Sequence, residues 1–288
     1  QRKCVTHIRV ADNLEVMDPV EFQQKLWPDV YMYNKQREIM YSVEYNDETV
    51  VPAGNQLGKD FVAGHIAVSF LCRYPVVRVV TSSVDQGQLE KVLWGEINRW
   101  VQTTAYELPL HVRHCDVRKI IGGKECPTSY LIGRVAAKEE GLLGHHAPFT
   151  LMIYDEASGI PHGFKVKTDT WAKKTLIIGN PYDCSNFFKY AVKGDPANPS
   201  DPGGDIAVED AFSTRDKNRW HRRIIRIRAD DSPNVRYALS QKEQGLEPDN
   251  RVLVPGVLTY AQYLKHRKLW DKVRQCISLD AEFYEGMD

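Results

Sequence analysis

The stretch Val50-Val51-Pro52-Ala53-Gly54-Asn55-Gln56-Leu57-Gly58-Lys59-Asp60 narrows the folds open to this chain more than any other. A short β-branched run stops at proline and glycine, and a Gly-Lys pair then opens an apolar segment of helical character over 61–71. Strand, tight turn and helix in that order make a phosphate-binding loop. In such a loop the N–H groups at the helix start hold an anion, and the lysine brings a compact point charge to the β- and γ-phosphates. The match to G-x-x-x-x-G-K-S/T is imperfect. Ala53 stands where the first glycine is expected, Gly54 comes one place late, and Asp60 replaces the hydroxyl residue. An ordinary glycine turn has the same local spelling, so the second half of a nucleotide site must decide.

That half is Leu151-Met152-Ile153-Tyr154-Asp155-Glu156, four apolar residues followed by two acids. A buried strand that delivers paired carboxylates to its tip suits a metal-dependent nucleotide site. Asp155 would hold Mg2+, directly or through water, and Glu156 would orient and deprotonate the attacking water. The plainer reading is a surface turn leading into Gly159-Ile160-Pro161. Asp60 admits two readings as well: a carboxylate ligand to a hard cation, or an acid satisfying first-turn donors of the helix.

Further strands are expected over 49–52, 76–81, 175–178 and 224–227, and helices over 20–26, 31–43 and 86–103. Asp18-Pro19 caps the first helix and Trp27-Pro28 breaks it. Strands alternating with helices predict an α/β fold, a mostly parallel central sheet with helices on both faces. Ligands of such sheets sit at the carboxyl ends of the strands, where the Gly-Lys loop, Asp155-Glu156 and Gly179-Asn180 all fall. Residues 107–135 alternate short β-like runs with turns expected at Gly122-Gly123 and Cys126-Pro127, while 138–148 and 198–204 read as loops.

Length and composition fit one large domain or one and a half. Lys plus Arg equals Asp plus Glu at 38 each, so no net charge advertises a polyanionic partner, although a local basic strip is enough for one. Arg222, Arg223, Arg226 and Arg228, beside Trp220 and His221, form the densest such cluster. It is either a phosphate-tracking strip or a strand edge or subunit contact. Six cysteines without a C-x-x-C read as reduced thiols. No apolar run reaches membrane-spanning length, so a soluble, intracellular protein is expected. The adjacent His145 and His146 point apart and lack further ligands at metal spacing, which favours loop packing or substrate contact. Gln36 offers an amide able to read a nucleobase edge, with Tyr31 or Tyr33 near the base, or it is a solvated helix residue.

Gln36, the loop from Gly54 to Asp60, Lys138-Glu139-Glu140-Gly141-Leu142-Leu143-Gly144-His145, Tyr154-Asp155-Glu156-Ala157 and Gly179-Asn180-Pro181 occur in this order. The combination resembles the ATPase domain of tailed-bacteriophage large terminases, over residues 20–280 or so. The resemblance implies a RecA-like ASCE P-loop NTPase fold and ATP hydrolysis, with Mg2+, driving double-stranded DNA into a procapsid. It also implies a homo-oligomeric ring on a portal, a small terminase subunit as partner, no membrane, and the cytoplasm of the infected bacterial host. By position, Gln36 matches the adenine motif, Gly54, Asn55, Gln56, Leu57, Gly58, Lys59 and Asp60 the phosphate loop, and Asp155 the metal acid. Glu156 matches the catalytic base, and Gly179-Asn180 the coupling motif. Asn55-Gln56 stand where many terminases carry an arginine, so a finger from a neighbouring subunit is expected; Arg134 is the candidate, or else a surface arginine. The implied division is 1–228 as ATPase core with an N-terminal arm and 229–288 as a small linker subdomain, with no nuclease site in this chain. Two other readings are a helicase-like ATPase, which needs a second lobe, and a non-hydrolysing nucleotide-binding scaffold, which needs no Glu156.

Overall fold

A computed structural model describes residues 16–135, 144–209 and 219–286. Helix α1 (Pro19–Leu26) begins where Asp18 accepts from the Val20 and Glu21 amides at 2.8 and 3.1 Å. After α2 (Asn34–Tyr45), strand β1 (Glu48–Pro52) runs into the Gly-Lys loop and α3 (Lys59–Arg73). β2 (Val77–Ser83) follows, then a helical stretch in three parts: α4 (Gln86–Gln88), a π turn (Leu89–Leu93) and α5 (Trp94–Gln102). β3 (Leu110–Arg113), β4 (Asp116–Ile121) and β5 (Lys124–Val135) form a meander. β6 (Phe149–Tyr154), α6 (His162–Thr168), β7 (Lys174–Gly179) and α7 (Phe187–Lys193) complete the central α/β units. β8 (Ile206–Glu209) and β9 (Arg219–Ile224) close the sheet, and α8 (Pro233–Glu243), α9 (Tyr260–Leu269) and α10 (Lys272–Ser278) end the described chain.

The sheet has nine strands in the order β3-β4-β5-β2-β6-β7-β1-β9-β8. The run from β5 to β9 is parallel throughout, and β3, β4 and β8 add antiparallel edges. All-parallel pairing buries both faces, and the side chains alternate accordingly. Val51, Val79, Leu151, Ile153, Leu176 and Ile178 join α1, α2, α3 and α5 in one core, whereas Val50, Val80, Met152, Tyr154 and Ile177 pack with Phe164, Phe187 and Phe188 in the other. Each such fully buried aliphatic side chain contributes about 1.5–3 kcal/mol. Ala229, Val235, Ala238, Leu258 and Leu279 belong to the first core, so the C-terminal segment shares that core with the sheet.

Two expected features differ. Cys126-Pro127 is no turn but lies inside β5, where pairing to β2 starts only at Tyr130 and the β4 register shifts between Arg118 and Ile120. A proline is tolerated there because no ladder partner needs its N–H. The last parallel strand is Arg219–Ile224, with Ile227 adding one bridge to Ala53, so the apolar 224–227 run marks only the strand's end. The polar run Arg219-Trp220-His221-Arg222-Arg223 does not read as a buried strand.

Candidate active site

β1 sits between β7 and β9, so its tip opens in the middle of the sheet. In the loop that follows, Gln56 and Gly58 take φ of 57° and 70°, the left-handed region that is costly for glutamine and free for glycine. Gly58 caps α3 without a side-chain hydrogen bond, which leaves the first-turn N–H groups to a ligand. Gly54 serves another purpose. A Cβ there would stand 2.7 Å from the Ser278 carbonyl oxygen. The C-terminal segment grips the loop at this point: Gly54 N–H donates to Ile227 O and Asn55 N–H to Ser278 O, both at 2.8 Å, and Leu258 N–H to Gln56 O at 2.9 Å. The glycine that seemed one place late is required by this close approach.

Lys59 Nζ lies 2.8 Å from Glu156 Oε1 and 3.2 Å from Asp60 Oδ1. Burial works to lower this ammonium's pKa, but the charges of Asp60, Glu156 and Asp155 raise it above its ordinary value. Asp155, at the tip of β6, is fully buried, and its N–H donates to Ser82 O at 2.9 Å. Neither of its carboxylate oxygens has a hydrogen-bond partner among the described residues, nor do the Ser82 and Ser83 hydroxyls at the tip of β2. Burial, and then the charge of Asp60, pushes the Asp155 carboxyl well above its ordinary pKa, with Lys59 opposing and Glu156 adding to the rise.

Carboxylate oxygens of Asp60, Asp155 and Glu156 lie within 4.8 Å of one another. Ligands on opposite sides of a hard cation with bonds of 2.0–2.6 Å stand about 4–5 Å apart. Three acids against one lysine, with one acid unpartnered among the described residues, therefore fit a divalent cation.

The turn that carries these acids is tightly held. Glu156 has φ 50°, and a Cβ on Gly179 would meet Ala157 N at 2.9 Å, so β7 must end in glycine for the turn to close over it. Asn180 Nδ2 then donates to Ala53 O at 2.7 Å and Asn55 Oδ1 at 2.9 Å, tying the β7 tip to the lysine loop. Asn186 was not singled out from sequence. Its Oδ1 caps α7 through Phe188 N–H at 3.0 Å, while its Nδ2 donates to Ala157 O at 2.9 Å and Ile160 O at 2.8 Å. An asparagine just before an apolar helix is an N-cap pattern, and this was the signal available.

Other predicted residues lie elsewhere. Gln36 is buried behind the loop, donating through Nε2 to Gly58 O and accepting at Oε1 from Tyr33 N–H, both at 3.3 Å. Tyr33 adds a 2.6 Å bond from its hydroxyl to Leu57 O, whereas Tyr31 is exposed. Arg134 is exposed at the β5 tip, two strands from β6, bonded to its own neighbour's carbonyl. His145 packs on Trp171 and bonds Tyr130 at 2.7 Å, in keeping with loop packing. Residues 138–143 lie outside the described residues. In the basic cluster, Arg222 pairs with Glu48 and Asp201, Arg223 with Asp205, and Arg226 with Glu282.

The loop, Glu156 and Asn180 border a cavity of about 470 Å3 that Gln262, His266 and Trp270 of the C-terminal helices also line. No helix among the described residues is long and apolar enough to cross a membrane. No protein-family model and no curated protein matches the sequence. Among solved structures, the Thermus phage P74-26 large terminase ATPase domain superposes with a TM-score of 0.58 at 18% identity, covering 92% of this chain and 98% of that one. A point variant of that domain gives 0.58 at 17% identity, with the same coverage. The large terminase of a thermophilic bacteriophage, solved with ADP, gives 0.55 at 14% identity, covering 88% of this chain and 54% of that one, so this chain spans about half its length. With its mostly parallel sheet, its Gly-Lys loop after β1 and its acid-tipped β6, the chain has the RecA-like fold of phage large terminase ATPase domains.

Proposed function

We propose that this chain hydrolyses ATP and couples the hydrolysis to translocation of double-stranded DNA, as the motor domain of a viral packaging enzyme. The observation that carries the hydrolytic part is that Lys59, Glu156 and Asn180 border one cavity beside the buried Asp155, whose carboxylate oxygens have no hydrogen-bond partner among the described residues. The motor part rests on the shared fold with terminase ATPase domains.

In this reading the first-turn amides of α3 and Lys59 hold the phosphates, and Asp155 with Asp60 holds Mg2+. Bound there, Mg2+ neutralises charge on the transferring phosphoryl group. Lys59 now pairs with Glu156. A triphosphate competing for that lysine frees the Glu156 carboxylate to orient water and accept its proton. Asn180, bonded to both the loop backbone and Asn55, reports a loop displacement to β7. In this reading Arg134, exposed and outside its own chain's cavity, serves a neighbouring subunit in a homo-oligomeric ring on a portal, working with a small terminase subunit.

The test is phosphate release by wild type and Glu156→Ala, each with and without duplex DNA. A Mg2+-dependent rate that the substitution lowers at least about a hundredfold is expected, with stimulation by DNA in the wild type alone. Equal rates for the two proteins would leave only a nucleotide-binding scaffold, and a DNA-blind but Glu156-dependent rate would remove the motor.

A further inference from the structure

Resting on the nucleotide reading above, we infer that the nucleobase stacks on His266 of α9, backed by Trp270. Gln36, bonded to the loop and to Tyr33, does not border the cavity, whereas His266 and Trp270 do. The cavity extends from the phosphate loop to α9, where a planar column stands. The His266 and Trp270 rings are parallel within 10° at a centroid distance of 3.9 Å, and the Arg274 guanidinium lies 4.2 Å from the Trp270 centroid. One indole face has no room for both, so Arg274 covers one face and His266 the other. The imidazole's outer face is then the end at which a further flat ring adds to the column.

Two more features suit a base. Burial, with Lys265 and Arg274 nearby, lowers the His266 pKa, so the ring is neutral at neutral pH and stacks without the cost of desolvating a cation. Gln262, one turn earlier, is held through Oε1 by Thr259 N–H at 2.9 Å and Thr259 Oγ1 at 3.0 Å. That cap leaves its NH2 group as a donor at the cavity wall. A stack with one or two edge contacts binds the base strongly and distinguishes bases weakly.

Calorimetric titration with Mg-ATP and with inorganic tripolyphosphate separates base from phosphate recognition. His266→Ala should weaken ATP about tenfold while tripolyphosphate stays within about twofold, and His266→Phe should restore ATP, because a phenyl ring keeps the plane. Lys59→Ala should weaken both ligands together. Unchanged ATP affinity in His266→Ala, a parallel loss of tripolyphosphate, or failure of His266→Phe to rescue overturns the base assignment while the phosphate site stands. A wild type that binds neither ligand, or binding that is insensitive to Lys59→Ala, overturns the nucleotide reading and this inference with it.

Discussion

The two ends of β1 carry the same kinds of side chain with opposite outcomes. At its start, Glu48 is buried with both oxygens engaged, Oε1 by Arg222 at 2.6 Å and Oε2 by Lys165 at 2.9 Å, and Arg222 in turn grips Asp201 at 2.8 and 2.9 Å. At its end, Lys59 faces three acids, and neither carboxylate oxygen of Asp155 has a donor among the described residues. Burial pushes both carboxyls up. Lys165 and Arg222 overcome it at Glu48, whose pKa is held below its ordinary value, while the charge of Asp60 reinforces it at Asp155. One cluster is complete within the protein and acts as structure. The other is complete only when a cation joins it, and that imbalance marks it as the working end.

The sharpest way to break this comparison is to ask which end moves activity and which moves stability. Glu156→Gln should lower phosphate release by about 10²–10⁴-fold with little change in the unfolding midpoint. A loss traced to unfolding would make the acidic end structural too. Next in size, Glu48→Ala leaves Arg222 with Asp201 and Lys165 with Asp169 as their remaining carboxylates and should cost about 1.5–3 kcal/mol in denaturant unfolding, the surviving folded protein binding ATP as before. An unchanged midpoint would strip the Glu48 cluster of its structural role.

The same residue gives a pH signature. With its folded pKa depressed, Glu48 binds fewer protons folded than unfolded, so its stabilisation is present above the unfolded value of about 4.3 and disappears as pH falls through the lower folded value. Glu48→Gln should flatten this acid limb of the stability profile.

Smaller still, Asp155→Asn should raise stability without divalent cation by about 1–3 kcal/mol, since it removes an unpartnered buried charge, while abolishing turnover. At about 2–4 °C per kcal/mol the shift is measurable by thermal melting. Destabilisation would mean that the acid has a partner in the protein after all. Smallest, Asp60→Asn should raise the Mg2+ needed for half-maximal turnover about tenfold; unchanged dependence would return Asp60 to the role of a helix-start acid.

Much of the site was legible because it is written locally. β1, β6 and β7 announce themselves as apolar runs ending in polar tips, and Asp155, Glu156 and Lys59 follow from their places at those tips. The rule that ligands gather at strand ends did the rest. Gln36 was legible only as an amide on a helix, and nothing in its neighbours says that the helix turns it towards the back of the loop. The close approach that requires Gly54 is not legible from its spacing, because the Ser278 carbonyl that forbids a Cβ there is more than two hundred residues away. Pro127 was taken as a turn because a strand proline is harmless only where its partner strand is missing, which is a fact of pairing.

What the sequence alone determined is the central strands β1, β2, β6 and β7, their polar tips and the identity of the charged groups, since apolar runs and helix starts depend on neighbours along the chain. The tertiary structure decided which carboxylate would be left without a donor, which backbone groups of the C-terminal segment would hold the loop, and that His266 and Trp270 would close the cavity. Backbone hydrogen bonds and charge balance depend on groups brought together by packing, and backbone donors and acceptors are the same in nearly every residue, so no local pattern records where they will meet.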